Sequence, residues 1–316
     1  DIGQVGVHGP PFRRELYGNA PAGGRLYGMA PAVLDELRSR VPVGVRHRIA
    51  KARLRYRLPT GRWRRLPDAM IIGAQRGGTS SLYRYLGAHP DVSASFRKEV
   101  EYFSRYEHLG ELWYRAHFDL QVGRDRLGFE ATPDYLFHPL AAGRARALVP
   151  DAKLVVLLRD PVARAASHYR HMVRLGYETL GLAAALGAEN GRCGPDLDRL
   201  TIDPGHDAKA LLRFSYAARG HYAEQLRRWF DCFPREQVLV IRSEDLFDDP
   251  VRWFARIVEF LGLPPWQPPE FRNQSRPPGG LAPAQVDHDT EQRLRETFRD
   301  PNAELIDLLG DTAPRW

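Results

Sequence analysis

The 316-residue sequence predicts an α/β fold, a central parallel sheet with helices on both faces. Two observations carry the prediction. Short apolar runs of strand length, Met70–Ile72, Leu154–Leu158 and Gln237–Ile241, alternate with segments of helical pattern. Leu154-Val-Val-Leu-Leu158 is apolar at every position, as a strand covered on both faces must be. Strands that alternate with helices form parallel sheets through right-handed crossovers.

In chain order, residues 1–66 read as a basic extension rich in Gly, Pro and Arg, and 67–316 as the main domain. Within the extension, Ala30 to Arg40 has the pattern of a short helix. Val45 to Leu58 is strongly basic and ends in the alternation Leu54-Arg-Tyr-Arg-Leu58. It reads either as an arm over an anionic ligand or as a solvated arm against the main domain.

Met70 to Leu86 reads as strand, glycine loop and helix, and Gly87-Ala-His-Pro90 ends that helix. Leu127 to Pro133 predicts a second strand and Phe137 to Val149 a helix. After Leu158, Asp160 is a suitable N-cap and Pro161 a suitable first residue for a helix to about Arg174. Residues 176–209 are Gly- and Ala-rich, predicted irregular, and suited to face an acceptor. A long helix is expected over Phe214–Phe233, another over Pro250–Leu261, then a proline-rich loop over Pro264–Pro283. A last helix spans Thr290–Leu309 with a break near Pro301.

The formal charge is +7 and the isoelectric point about 9.5, which suits an anionic partner such as nucleic acid, a phosphorylated cofactor or an acidic glycan. No aromatic platform or known nucleic-acid module is visible. No run approaches the roughly 18 apolar residues of a membrane span. Cys193 and Cys232 are too few for a disulfide framework, which favours a reducing compartment and leaves their pairing open.

Gly73, Gly77 and Gly78, with Thr79, Ser80 and Ser81 opening a helix, form a P-loop-like phosphate cradle. It departs from the nucleoside triphosphate loop, which needs Gly-Lys-Ser/Thr: Thr79 replaces the lysine and the cation, Arg76, precedes the glycine pair. A glycine turn that binds nothing is the alternative. In a parallel sheet the loops at the strands' carboxyl ends share one crevice. Arg159 ends a second strand, and Ser167 lies about 12 Å further along an ideal helix. Each has a structural alternative, a capping or ion-paired arginine and a small packing serine. With the loop, they suggest a ligand phosphorylated at both ends.

These residues resemble the sulfotransferases that use 3′-phosphoadenosine 5′-phosphosulfate (PAPS), above all the heparan sulfate glucosaminyl 3-O- and N-sulfotransferases and their bacterial relatives. The resemblance covers residues 67–316. Arg159-Asp-Pro-Val-Ala-Arg-Ala-Ala-Ser167 carries the family's R-D-P-x-x-R-x-x-S in full, Glu99-Val-Glu-Tyr-Phe103 its Glu-x-x-aromatic-Phe, and Gly220-His-Tyr222 with Trp229 a further anchor. It implies the sulfotransferase fold, and a 5′-phosphosulfate site at Arg76, Gly77, Gly78, Thr79, Ser80 and Ser81. It also implies a 3′-phosphate site at Arg159 and Ser167. Arg76 stands where the family has lysine and Ala131 where glycosaminoglycan members often have another. The basic C-terminal loop has no clean match, its nearest residues being Asn273, Gln274 and Arg276, and Arg276 is taken as cofactor-binding.

The implied reaction is in-line sulfuryl transfer from PAPS to a hydroxyl, less readily an amine, of a carbohydrate or small-molecule acceptor. Glu99 is the expected general base and Arg76 and Lys98 the cations. Glu99 has an alternative as an ion-pair partner of Lys98, and Lys98 as a surface lysine. His168, His171 and His221 are alternative bases. No metal is expected, because the cysteines lack ligand spacing. The competing classes are a P-loop kinase or ATPase and a non-catalytic basic anion-binding protein. Arginine bias and the lack of a visible anchor favour a bacterial cytoplasmic enzyme, or a Golgi-lumen one if the chain is a eukaryotic ectodomain.

Overall fold

A computed structural model describes residues 43–121, 126–272 and 287–316. The expected helix Ala30–Arg40, most of the extension, and Asn273, Gln274 and Arg276 lie outside the described residues. The chain divides into a first unit, Asp1–Lys51, and a second, Ala52–Trp316, which holds the whole sheet and the helices that cover it. The basic segment is helical over Val43–Arg57 (α1), which runs across the division.

Five strands form one all-parallel sheet: β1 (Ala69–Gly73), β2 (Val92–Ala94), β3 (Leu127–Ala131), β4 (Lys153–Leu158) and β5 (Val238–Arg242), in the order β2-β3-β1-β4-β5. The chain leaves central β1 for one edge, returns beside it as β3, and continues on its other side as β4. The order therefore reverses around β1, and its carboxyl end is where such sheets hold ligands.

Successive side chains alternate between two cores. Met70, Ile72, Leu154, Val156 and Leu158 enter one, with Tyr114, Tyr135, Trp229 and Leu305. Ala69, Ile71, Val155 and Leu157 enter the other, with Leu82, Leu86, Phe254 and Ile257. Both faces are apolar because both are covered. Truncating such a residue to alanine costs about 2–5 kcal/mol.

Helix α2 (Thr79–Gly87) follows β1 directly. Helix α5 (Pro161–Arg174) follows β4, with Pro161 in its first turn and the Asp160 carboxylate accepting from Ala163 N–H at 2.7 Å. The helices between β3 and β4 and after β5 are Ala141–Leu148 (α4) and Pro250–Leu261 (α11). Helix α4 starts later than the expected Phe137 because Pro139 bars a helical conformation at His138.

Three further expectations fail for identifiable reasons. Residues 176–209 are mostly helical, as Leu182–Gly187 (α6) and Glu189–Ile202 (α7). Buried Leu182, Ala185, Cys193 and Leu200 anchor them, and glycines 187, 191 and 194 face open space, so they cost little beyond propensity. The single helix Phe214–Phe233 is instead Lys209–Phe214 (α8), a turn at Ala218–Gly220, and Tyr222–Phe230 (α9). There the buried Glu189 carboxylate takes the N–H groups of Ala217 and Ala218 at 2.7 and 2.8 Å. Gly220 also packs so closely on Phe298 and Pro161 that a Cβ would lie 2.5 Å from the ring. The break at Pro301 is absent: His288–Leu309 (α12) is continuous. Leu294 and Phe298 before the proline and Leu305 and Leu309 after it are all buried.

Among the described residues no helix is long and apolar enough to cross a membrane. Cys193 and Cys232 are free thiols, and burial pushes the Cys193 thiol up to about 12.

Candidate active site

A cleft of about 470 Å³ opens at the carboxyl end of β1, lined by Gln75, Arg76, Gly78, Thr79, Ser80, Lys98, Glu99, Pro133 and His171. Three strand-end segments build it: the loop after β1, the segment after β2 and the turn after β3. Helix α5 closes one side.

The loop's shape depends on two glycines. Gly78 has φ +92°, and Phe247 fills the space where a Cβ would stand, 2.6 Å from its ring. Gly77 lies against the Leu157 carbonyl, with 2.6 Å to a hypothetical Cβ. Its N–H goes to Ala74 O at 2.9 Å and its carbonyl takes the Ser243 hydroxyl at 2.6 Å. The Gly77 amide is therefore committed to the loop, a correction to its expected place in the phosphate cradle. Thr79 and Ser80 stand in the first turn of α2, whose N–H groups have no intrahelical acceptor and carry the helix's positive end. Ser81, also expected at the cradle, is fully buried and shares a hydrogen bond with Tyr85, away from the cleft lining.

Arg76, Arg159 and Ser167 converge. Arg76 Nε donates to Ser167 Oγ at 3.1 Å, and Arg159 Nη1 donates to the Arg76 carbonyl at 3.2 Å. Arg159 is itself held by Tyr222, whose hydroxyl donates to its carbonyl at 2.8 Å. Burial and the neighbouring Arg174, Arg159 and Arg170 lower the Arg76 pKa, with Glu99 partly offsetting them. A site that gathers these guanidiniums around one half-buried arginine is electrostatically incomplete without an anion.

Glu99 faces this cluster from the segment after β2. Its N–H donates to Ala131 O at 2.9 Å, and its carboxylate pairs with Lys98 Nζ at 2.5 Å. The anticipated ion pair is thus present, and both partners line the cleft. Ala131 is fully buried, so its side chain offers nothing to the cleft. Arg76, Glu99 and Glu101 have φ values of +71°, +61° and +59°. Non-glycine residues rarely adopt this left-handed conformation, and it recurs at functional sites.

Arg164, the inner arginine of the R-D-P motif, is fully buried and donates to the Tyr216 carbonyl, so it serves the fold. His168 is fully buried against Tyr216, and burial holds it neutral. His221 packs on Phe298, outside the cleft lining. Of the three histidines, His171 alone reaches the cleft. Burial, Arg76 and Arg174 lower its pKa.

Reasoning from sequence missed Arg170 and Arg174. Their signal was helical spacing: they follow Ser167 by three and seven residues and share its face. Among the described residues no group of three or more His, Cys, Asp or Glu side chains is placed to hold a metal ion.

The model of the sulfotransferase domain matches residues 66–273. Murine heparan sulfate glucosamine 3-O-sulfotransferase 3B1 is 34% identical over 202 residues, 63% of this chain and 47% of that protein. Its human counterpart is 30% identical over 269 residues, 78% of this chain and 64% of that protein. The chain thus spans about half to two-thirds of the length of these curated relatives. A solved sulfotransferase from Alicyclobacillus acidocaldarius is 31% identical with a TM-score of 0.62, covering 77% of this chain and 96% of that one. By sequence, by fold and by the motifs that meet at the cleft, the chain belongs to the sulfotransferase family.

Proposed function

We propose that the chain transfers a sulfuryl group from PAPS to a hydroxyl of a carbohydrate acceptor, with Glu99 as general base. The observation that carries this reading is the convergence of Arg76, Arg159 and Ser167 at one end of a cleft whose other wall is Lys98 and Glu99. One end suits a doubly phosphorylated nucleotide, and the other a neutral nucleophile that must lose a proton.

Glu99 removes the proton of the acceptor hydroxyl as its oxygen forms the new bond to sulfur. The bond from sulfur to the bridging oxygen breaks in line, and its electron pair leaves on the 5′-phosphate of adenosine 3′,5′-bisphosphate. Arg76 and the first-turn N–H groups of α2 meet that growing charge. Lys98, paired with Glu99 in the absence of substrate, is placed to move from the carboxylate to the sulfuryl oxygens. Glu99 then gives its proton to solvent. Arg159 and Ser167 hold the 3′-phosphate.

A kinase or ATPase reading lacks support, because Thr79 occupies the position of the lysine such loops require. A carbohydrate is favoured over a small natural product because the murine and human relatives are named for a sugar acceptor. The test is mass spectrometry of products from an acceptor panel of oligosaccharides, amino sugars and phenols, with and without PAPS. A PAPS-dependent gain of one sulfuryl group on a sugar hydroxyl supports the reading. Turnover confined to phenols, or transfer of phosphate from ATP, contradicts it.

A further inference from the structure

His171 lies on helix α5 one turn beyond Ser167, in the same cleft as Arg76, Lys98 and Glu99. Its surroundings decide which of its two nitrogens bears hydrogen. Arg174 Nη2 is 2.8 Å from His171 Nδ1. A guanidinium is always protonated and only donates. Nδ1 must therefore accept, and the hydrogen of the neutral ring resides on Nε2. The charged groups around the ring oppose a second proton: Arg76 from the β1 loop and Arg174 from its own helix repel it, while Glu99 opposite attracts it, and burial outweighs that attraction.

An imidazole fixed in this way is a poor base. Its one basic nitrogen is occupied by a permanent cation, and the other offers a hydrogen. We propose that His171 is a further catalytic residue that donates its Nε2–H to an oxygen of the sulfuryl group in transfer, and does not share proton abstraction with Glu99. The cleft thereby has a division of labour. Glu99 takes the proton, the cations Arg76 and Lys98 neutralise charge, and His171 supplies a neutral, directional donor between them. A neutral donor stabilises charge that develops on the sulfuryl oxygens without raising the charge of an already crowded arginine cluster. The inference rests on the sulfuryl-transfer reading for the identity of the acceptor oxygen. The tautomer rests on the Arg174 contact alone.

The test joins two substitutions with a spectroscopic measurement. Glutamine places an amide N–H near the position of Nε2 but has no basic nitrogen; alanine offers neither. His171→Gln is expected to retain kcat for PAPS-dependent transfer within about fivefold, and His171→Ala to lose about 10²-fold, the scale of one transition-state donor. Both should bind adenosine 3′,5′-bisphosphate as the unaltered chain does. Nitrogen-15 NMR of the histidines near neutral pH should show His171 as the neutral Nε2–H tautomer, and His171→Gln should remove that signal.

If His171→Gln is as impaired as His171→Ala, the imidazole is exchanging protons and the proposal fails. If His171→Ala retains full activity, His171 has no role in transfer and the proposal also fails. An Nδ1–H tautomer, or an imidazolium at neutral pH, overturns it without reference to turnover. Should the unaltered chain show no PAPS-dependent transfer to any acceptor, the sulfuryl-transfer reading fails, and with it the assignment of the donor's target; the NMR result then decides the tautomer alone.

Discussion

Replacing Arg76 with glycine separates what the cleft does for ligand from what it does for the fold. A half-buried arginine in contact with a neighbouring hydroxyl is ordinarily expected to stabilise its protein, and removing a large buried side chain costs about 2–5 kcal/mol. Here the terms oppose one another. The Arg76–Ser167 hydrogen bond is worth about 1.5–3 kcal/mol with a charged donor. Against it, φ of +71° costs a non-glycine residue about 1–2 kcal/mol. Repulsion from Arg174, Arg159 and Arg170 is relieved as well. The ligand-free protein should therefore unfold within about 1 kcal/mol of the parent, a change in Tm of roughly 2–4 °C. Adenosine 3′,5′-bisphosphate should lose a charge-assisted contact worth about 1.5–3 kcal/mol, which is roughly 10- to 150-fold in Kd. Thermal melts with and without the bisphosphate, together with titration calorimetry, read both quantities. A drop of more than about 3 kcal/mol in stability with unchanged affinity would make Arg76 a structural residue and refute the reasoning.

Glu99→Gln should lower kcat by about 10²–10⁴-fold while bisphosphate binding stays within a few-fold, and stopped transfer assays with calorimetry check the pair of outcomes. Ser167→Ala should narrow the preference for adenosine 3′,5′-bisphosphate over adenosine 5′-phosphate by about tenfold, since the hydroxyl is assigned to the 3′-phosphate; an unchanged ratio assigns it to Arg76 alone. Gly220→Ala forces a Cβ to 2.5 Å from Phe298 and should cost about 1–3 kcal/mol by overpacking, measured by denaturant unfolding. For pH, burial lowers buried His117 and His138 to about 4 and His168 further. A histidine with a folded pKa below its unfolded value contributes full stability above the unfolded pKa of about 6.5 and loses it as pH falls towards the folded one. Between pH 7 and 5 each should cost of order 2 kcal/mol, so Tm should fall over that window, and less steeply in His138→Gln.

The sheet was legible because its strands write their environment directly. Leu154–Leu158 is apolar at every position because both faces are covered, and Asp160-Pro161 marks a helix start by local chemistry alone. The cradle was legible in part for the same reason, since glycine and the first-turn hydroxyls mark a loop before a helix. What sequence did not carry was long-range competition for backbone groups. Glu189 captures two amides in the middle of a helical pattern, and Ser243 and Ala74 occupy the Gly77 peptide. Neither pairing leaves a trace at the residues concerned. Pro301 misled in the opposite direction, because burial on both sides of it holds a helix that propensity argues against. The left-handed backbones of Arg76, Glu99 and Glu101 carry no compositional mark, since no glycine stands there.

The central claim is that the loop after β1 cradles a phosphosulfate nucleotide and not a nucleoside triphosphate. Titration calorimetry of the whole chain with adenosine 3′,5′-bisphosphate, and separately with ATP and magnesium, tests it most directly. The arrangement of Arg76, Arg159 and Ser167 predicts that the bisphosphate binds without added magnesium and at least about tenfold more tightly than ATP, a gap of about 1.4 kcal/mol. Equal or tighter binding of ATP with magnesium would contradict it.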